Sequence, residues 1–149
     1  MNNKDDKKVF NQNKMTISVQ SKTVNEALVR SSVAAFCAEL DPTVDQINEI
    51  KTALTEAVNN SIVHGYDGDI KGFVHIEATI NGDTVHIRVQ DQGKGIADVE
   101  AAIKPFYTTK PDQERSGMGF TVMEAFMDNL KVVSNDRGTV VEMSKRIKA

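Results

Sequence analysis

Residues 73–95 read FVHIEATINGDTVHIRVQDQGKG, and this stretch decides the fold. Apolar and polar side chains alternate along it on both sides of Asn81-Gly82-Asp83, a sequence typical of a tight hairpin turn. The alternation predicts two antiparallel strands that share one apolar face. The apolar positions are Val74, Ile76, Ala78, Ile80, Val85, Ile87 and Val89. A layer of helices is needed to cover such a face.

The segments around the hairpin predict further strands and the helices. Alternating runs at 16–20, 130–133 and 139–143 indicate short strands, whereas the periodicity of 21–40, 43–64 and 120–129 indicates helices. Strands beside one another with helices gathered on one face are typical of an α+β fold. We expect a two-layer sandwich in which helices cover one face of a mixed, mainly antiparallel sheet.

The first predicted helix has one face that we expect to be buried. Its members are Val24, Leu28, Ser31 and Ala35, and Arg30 lies on the opposite, solvated face. Before the second helix, Asp41-Pro42-Thr43 is expected to supply a cap and a proline at the first helical position.

The second predicted helix carries two polar residues away from its apolar stripe. Glu56 and Asn60 are one helical turn apart, so they point the same way. Both lie well round the helix from the centre of the stripe, which predicts that they face a cleft. The stripe consists of Ile47, Ile50, Leu54, Ala57, Val58 and Ser61.

Composition limits the classes of function. The chain has 149 residues, 40% of them hydrophobic, which suits one well-packed domain. Its formal net charge of −3 lacks the basic excess typical of nucleic-acid binding, so we expect no direct contact with nucleic acid. The single Cys37 excludes an internal disulfide and a thiolate metal cluster, and we expect a buried thiol.

The start of the chain is strongly polar. Residues 1–14 offer little apolar surface to bury, which predicts a disordered tail and leaves 15–149 as the single domain. No apolar run approaches the ~20 residues that a membrane span needs, and no apolar stretch near the start has the length of a signal peptide. We therefore expect a cytoplasmic protein with no membrane contact.

Three short motifs together resemble an ATP site. They are Glu56-Ala-Val-Asn-Asn60 on a helix, Asp91-Gln-Gly93-Lys-Gly95 after a strand, and Gly117-Met-Gly119-Phe120 at the start of a helix. In this order they resemble the N, G1 and G2 boxes of the ATPase superfamily of gyrase, heat-shock chaperones, histidine kinases and MutL. That resemblance implies the Bergerat ATP-binding fold.

Further runs resemble one branch of that superfamily, the anti-sigma factor serine/threonine kinases. They are Asp41-Pro-Thr, Ser61-Ile-Val-His-Gly-Tyr66, Phe106-Tyr-Thr-Thr-Lys-Pro111 and Glu114-Arg-Ser-Gly-Met-Gly-Phe-Thr121. The resemblance covers roughly residues 15–145. It is closer to the sporulation (sigma F) type than to the stress-response (sigma B) type, which stays an alternative.

The resemblance implies roles for the residues of the first motif. Glu56 becomes the general base that accepts a hydroxyl proton, and Asn60 becomes the Mg²⁺ ligand. A helical glutamate is more often only a solvated charge. Asn59 leaves the register open, although the i+4 spacing favours Asn60. Asn59 and Ser61 replace the Thr and Ala commoner in related sequences and are expected to be peripheral.

The second motif is expected to hold the adenine. The resemblance assigns Asp91 to the exocyclic amine of adenine, although an aspartate here could simply cap the turn. Gly93 and Gly95 would let the backbone approach the nucleotide, and Ile96 would form an apolar wall. Gly138-Thr139 resembles the late element that closes the adenine pocket, which makes Thr139 a candidate contact.

The third motif is expected to hold the phosphates. Glycines at a helix N-terminus expose backbone N–H groups, which favour phosphate. The connection from 93 to 119 is long for a compact domain and predicts a functional lid. No βαβ unit or P-loop sequence offers another nucleotide site. The candidate contacts are Thr109, Lys110, Arg115, Ser116, Gly117, Met118, Gly119 and Phe120.

Three interpretations of the function compete. The resemblance implies an ATP- and Mg²⁺-dependent serine/threonine kinase that phosphorylates an anti-anti-sigma protein, inhibits a sigma factor and forms a homodimer. The alternative is a non-catalytic module in which ATP gates protein binding and Glu56 has no role; an adaptor with a degenerate site is a third reading. Arg30, as a lone exposed cation, is a candidate contact for an acidic partner.

Overall fold

The computed structural model describes residues 11–103 and 119–147. None of the helices in these two ranges is long and apolar enough to cross a membrane. The elements are β1 (Gln12–Gln20), α1 (Asn25–Cys37), a 3₁₀ turn (Ala38–Leu40), α2 (Val44–Asn59), a π-helix (Asn60–Gly65), β2 (Phe73–Asn81), β3 (Thr84–Asp91), α3 (Val99–Ile103), α4 (Gly119–Phe126), β4 (Asn129–Asn135) and β5 (Gly138–Arg146).

The five strands form one sheet in the order β1-β2-β3-β5-β4. All four neighbouring pairs within the described ranges are antiparallel, so the parallel pair implied by a mixed sheet is not found there. The reason is the position of β5. β3 and β4 run in the same direction, but β5 returns through a hairpin and lies between them, where it pairs antiparallel with both.

The helices cover one face of this sheet, which confirms the predicted α+β sandwich. The inward side chains of β2 and β3 are fully buried with those of α1 and α2 in one apolar cluster. The opposite face is polar. Glu77, Arg88, Glu142 and Lys131 follow one another across four strands there, and Arg88 pairs with Glu142 at 3.6 Å.

The first strand begins earlier than its side chains suggest. β1 starts at Gln12 and pairs with β2, with Gln12 opposite Asn81 and Lys14 opposite Thr79. The predicted tail of 1–14 is therefore wrong for its last residues. Backbone pairing, which needs no apolar side chain, holds these exposed positions in the sheet.

The buried face of α1 differs from the predicted one. Val24 and Leu28 are 75% and 54% exposed, whereas Val29, Val33 and Cys37 are fully buried. Both sets have helical spacing, so periodicity alone could not choose between them. The packing of α1 on the sheet decides the matter. Burial raises the pKa of the Cys37 thiol to about 11, which makes it a poor nucleophile.

The N-terminus of α2 is capped by Thr43 rather than by Asp41. The Thr43 hydroxyl accepts a hydrogen bond from the Gln46 N–H at 3.1 Å, and the Gln46 side chain accepts one from the Thr43 N–H at 2.9 Å. This capping box satisfies two otherwise unpaired backbone donors. Pro42 consequently precedes the helix instead of occupying its first position.

Candidate functional site

One end of the sheet carries a buried carboxylate. Asp91 is the last residue of β3, is 2% exposed, and lies opposite Thr139 of β5. Its Oδ1 accepts a hydrogen bond from the Gly93 N–H at 2.9 Å. Its Oδ2 is buried with no hydrogen-bond partner among the described residues. A buried acceptor without a donor is costly, so this atom indicates a ligand that donates.

The surroundings of Asp91 act on its ionisation in opposite directions. Burial raises the pKa of the carboxyl above its ordinary value, while the Gly93 N–H, the Ser61 hydroxyl and the Thr139 backbone partly offset that rise. Ser61, which we expected to be peripheral, is itself buried beside the carboxyl. A polar residue inside an apolar helical stripe was the signal for it.

Gly93 and Gly65 are glycines because two backbone segments cross there. The Lys94 N–H donates to the Gly65 carbonyl at 2.9 Å. A Cβ on Gly93 would lie 2.1 Å from that carbonyl oxygen, and a Cβ on Gly65 would lie 3.0 Å from the Asp91 carboxyl. The chain after the helix thus packs directly on the loop that follows Asp91, with no room for a side chain between them.

Gly95 and Gly138 mark two further close approaches at the same end of the sheet. A Cβ on Gly95, whose φ is +79°, would lie 1.8 Å from the Asn135 carbonyl oxygen. One on Gly138 would lie 2.1 Å from the Asp91 carbonyl oxygen. The backbone of the loop after β3 is therefore held against the β4–β5 turn, whereas the predicted approach of Gly93 and Gly95 to a nucleotide stays a prediction.

Ile96 and Thr139 are brought together by a residue that the sequence reading missed. The Ser134 hydroxyl accepts from the Ile96 N–H at 2.6 Å and lies 2.7 Å from the Thr139 hydroxyl. Ile96 packs against the core, and Thr139 is buried. Ser134 occupies an inward position of β4 after Leu130 and Val132, and this polar break in an apolar alternation could have revealed it.

Glu56 lies in the last turn of α2, and Asn60 directly follows that helix. Both are close in sequence to Ser61, which lies beside Asp91. Both are half-buried, whereas Ala57 and Val58 between them are fully buried. Asn60 begins the π-helix, and its neighbour Ser61 reaches Asp91. Within the described part of the chain, no three His, Cys, Asp or Glu side chains form a metal-binding group. A cation here would depend on the Asn60 amide and on ligand oxygens.

Only the end of the third motif falls within the described residues. Thr109, Lys110, Arg115, Ser116, Gly117 and Met118 lie outside them, so their expected phosphate contacts stay predictions. Gly119 and Phe120 are buried and open α4, which packs against α2. The Thr121 hydroxyl donates to the Ile103 carbonyl at 3.2 Å, which ties α4 to α3.

Arg30 stands apart from these groups and is not a lone cation. Its guanidinium pairs with Glu26 at 3.3 Å, and the Glu26 carboxylate accepts a hydrogen bond from the Thr55 hydroxyl at 2.6 Å. The Arg30 side chain keeps 38% of its exposure, so it can still meet a partner. Any such contact would also have to satisfy Glu26.

Known proteins share much of the sequence of this chain. The histidine kinase-like ATPase domain family matches residues 19–145. An anti-sigma F factor from Clostridium beijerinckii is 56% identical over 135 residues, which cover 90% of this chain and 94% of the relative. One from Anoxybacillus flavithermus is 50% identical over 136 residues, which cover 91% and 93%.

Solved structures of low identity share the fold. The RsbU and RsbW domains of a Mycobacterium tuberculosis protein align with a TM-score of 0.67 at 23% identity, over 91% of this chain and 32% of that one. The histidine kinase AdeS from Acinetobacter baumannii aligns with a TM-score of 0.54 at 16% identity, over 91% of this chain and 68% of that one. Both support the ATPase-type α+β sandwich.

Proposed function

Because the chain belongs to the histidine kinase-like ATPase domain family and, within it, to the anti-sigma F factors, we propose that it is an ATP-dependent protein serine/threonine kinase that also inhibits a sigma factor. Its phosphate acceptor is an anti-anti-sigma protein. The sigma factor is of the F type, which the names of the relatives favour, and its role in sporulation is proposed from the sequence resemblance alone.

The observation that supports the nucleotide site is the buried Oδ2 of Asp91, which has no hydrogen-bond partner in the part of the chain that the structure describes. The exocyclic amine of adenine is a donor that this buried acceptor lacks, whereas the carbonyl of guanine would face it unfavourably. The close backbone approaches at Gly93, Gly95 and Gly138 fix the main chain on both sides of Asp91, and Ile96 is the apolar side chain that follows in the same loop. The residues present therefore suit an adenine nucleotide.

The chemistry is assigned to the end of α2. Glu56 would accept the proton of the attacking serine or threonine hydroxyl, and Asn60 would hold Mg²⁺ through its amide oxygen. A bound Mg²⁺ supplies charge compensation for the phosphates. Glu56 and Asn60 are half-buried rather than in the core, so an acceptor hydroxyl and a nucleotide can both reach them. Phosphate contacts from Lys110, Arg115 and the segment 116–120 complete the proposal.

The protein partners are proposed from the relatives and from charge. The relatives are named as anti-sigma F factors, which supports a sigma factor as one partner. A homodimer as the working form is proposed from the resemblance of the sequence motifs alone. Arg30 with its Glu26 partner offers an acidic protein one exposed cation on α1. Reversing the charge by Arg30→Glu is expected to weaken the binding of at least one of the two partners.

A phosphotransfer assay tests the kinase directly. ATP labelled on the γ-phosphate is incubated with the protein and the products of neighbouring genes, and mass spectrometry locates the phosphate. Glu56→Gln should keep nucleotide binding while phosphotransfer falls ~10²–10⁴-fold, the usual contribution of a positioned general base. Asn60→Ala should instead lower nucleotide affinity and its dependence on Mg²⁺.

The two variants separate the candidate functions. Full phosphotransfer by Glu56→Gln, or equal loss of Mg²⁺-dependent binding in both variants, would show that the roles are misassigned. Nucleotide-dependent partner binding with no phosphate on any partner would favour the non-catalytic, ATP-gated module instead.

A further inference from the structure

A π-helix joins the candidate metal ligand to the adenine loop. Asn60–Gly65 winds with a wider turn than α2, and the Tyr66 N–H closes it by donating to the Ser61 carbonyl at 3.0 Å, five residues back. Such turns are rare and are often found at functional sites. This one ends the helix so that Gly65 and Tyr66 cross the loop after Asp91.

The Tyr66 hydroxyl lies where the β2–β3 ladder should continue. His75 opposite Gln90 is the last pair of that ladder before Asp91, and the same register would place Phe73 opposite Gln92. Those two residues do not bond directly. The Tyr66 hydroxyl accepts from the Gln92 N–H at 2.8 Å and donates to the Phe73 carbonyl.

The ring of Tyr66 is held in place by a glycine. A Cβ on Gly72 would lie 2.4 Å from the ring carbons of Tyr66, so only glycine leaves room for it. Gly72 in turn accepts a hydrogen bond from the Ser21 N–H at 2.9 Å, which fixes it against the end of β1. The position of the hydroxyl is thus fixed, because the ring that carries it packs against Gly72.

We propose that Tyr66 is a positioning residue of the nucleotide site. Its hydroxyl, inserted between Phe73 and Gln92, separates the ends of β2 and β3 and so sets where Asp91 and the loop after it stand relative to adenine. We call this pair of hydrogen bonds the Tyr66 bridge. The inference rests on the proposed nucleotide site but not on kinase activity, because it concerns the adenine end alone.

Removal of the hydroxyl should change recognition of adenine. In Tyr66→Phe the ring stays against Gly72, but the Gln92 N–H and the Phe73 carbonyl either pair directly or take water. The first outcome pulls the strand ends together, and the second frees them; each shifts Asp91. The loss of affinity should come from contacts to the exocyclic amine. The dependence of nucleotide binding on Mg²⁺, which is assigned to Asn60, should stay the same.

The test compares two nucleotides by calorimetry. The probes are Mg·ATP and the triphosphate of purine riboside, which lacks the exocyclic amine. Tyr66→Phe should weaken the binding of ATP about 3- to 10-fold, which is the contribution of one hydrogen bond. It should weaken the binding of the analogue less, so the preference for ATP over the analogue should decrease. Gly72→Ala, which displaces the ring and keeps the hydroxyl, should shrink the preference as well. Ser18→Ala, which removes an exposed hydroxyl bonded to His75, should leave it unchanged.

Hydrogen exchange at the Gln92 amide separates the two outcomes for the strand ends, because in Tyr66→Phe the amide loses protection if it takes water and keeps it if it pairs directly with the Phe73 carbonyl. An unchanged preference for ATP in Tyr66→Phe and in Gly72→Ala would overturn the positioning role. Absence of any nucleotide binding by the parent protein would overturn the proposed function as well, so the two failures are distinguishable. If Tyr66→Phe does not fold, Gly72→Ala decides the question.

Discussion

The two ends of the sheet use the same residue types for different purposes. At the turn between β2 and β3, Gly82 has open space around its Cβ position, and Asp83 is exposed and paired with Arg146 at 2.8 Å. At the opposite end, a Cβ on Gly93 would lie 2.1 Å from backbone, and Asp91 is buried with one oxygen that has no partner among the described residues.

The pKa values of the two aspartates are shifted in opposite directions. The hydrogen bond from Arg146 holds the pKa of Asp83 below its ordinary value, whereas burial holds the pKa of Asp91 above it. Where water surrounds an Asp and a Gly, as at Asp83 and Gly82, the two residues do no more than form the turn. When two other segments crowd the same pair, the carboxylate is buried and the glycine gives its Cβ space to the neighbouring backbone.

The largest contrast is expected from the glycines. Gly93→Ala should cost about 1–3 kcal/mol of unfolding free energy or more, because its Cβ would overlap backbone that cannot move freely. Gly82→Ala should cost about 1 kcal/mol, because only its positive φ of +66° is strained. Gly93→Ala should also lose ATP affinity, and Gly82→Ala should keep it. Thermal unfolding and calorimetry measure both effects, and equal behaviour of the two variants would break the comparison.

A smaller contrast is expected from pH. Because the folded-state pKa of Asp91 is raised, ionisation of this group destabilises the free protein, and that cost disappears as pH falls through the raised pKa. Asp83 acts in the opposite sense, since its stabilising ion pair is lost as pH falls through its lowered pKa. Protonation of Asp91 should weaken ATP binding, starting above the ordinary value of 3.8. ATP titrations of the parent between neutral and mildly acidic pH measure this, and Asp91→Asn should lack that pH dependence.

Much of the fold follows from the sequence because local signals agree with the global arrangement. The Asn81-Gly82-Asp83 turn and the alternation on either side of it predicted β2 and β3, and their apolar face predicted the helical layer. The juxtaposition of Asp91 and Thr139, which the resemblance implied, is observed as a strand pair.

The remaining features depend on packing that local patterns mark at most as an exception, as they do for Ser61 and Ser134, without showing which segments meet there. Val24 and Leu28 have the same spacing as the buried stripe of α1, and only contact with the sheet selects between the two faces. The places of Ser61, Ser134 and Tyr66 depend on which segments cross near Asp91, and those segments are distant in sequence. Tyr66 in particular replaces a backbone hydrogen bond, which a sequence pattern cannot show.

The central claim is that the Asp91 end of the sheet binds the adenine of ATP, and the matched aspartates test it most directly. Mg·ATP is titrated by calorimetry into the parent, Asp91→Asn and Asp83→Asn. We predict that Asp91→Asn loses affinity about 10- to 100-fold, as expected for a charged hydrogen bond in a buried site, while Asp83→Asn binds as the parent does. Binding by Asp91→Asn that is as tight as that of the parent would contradict the account.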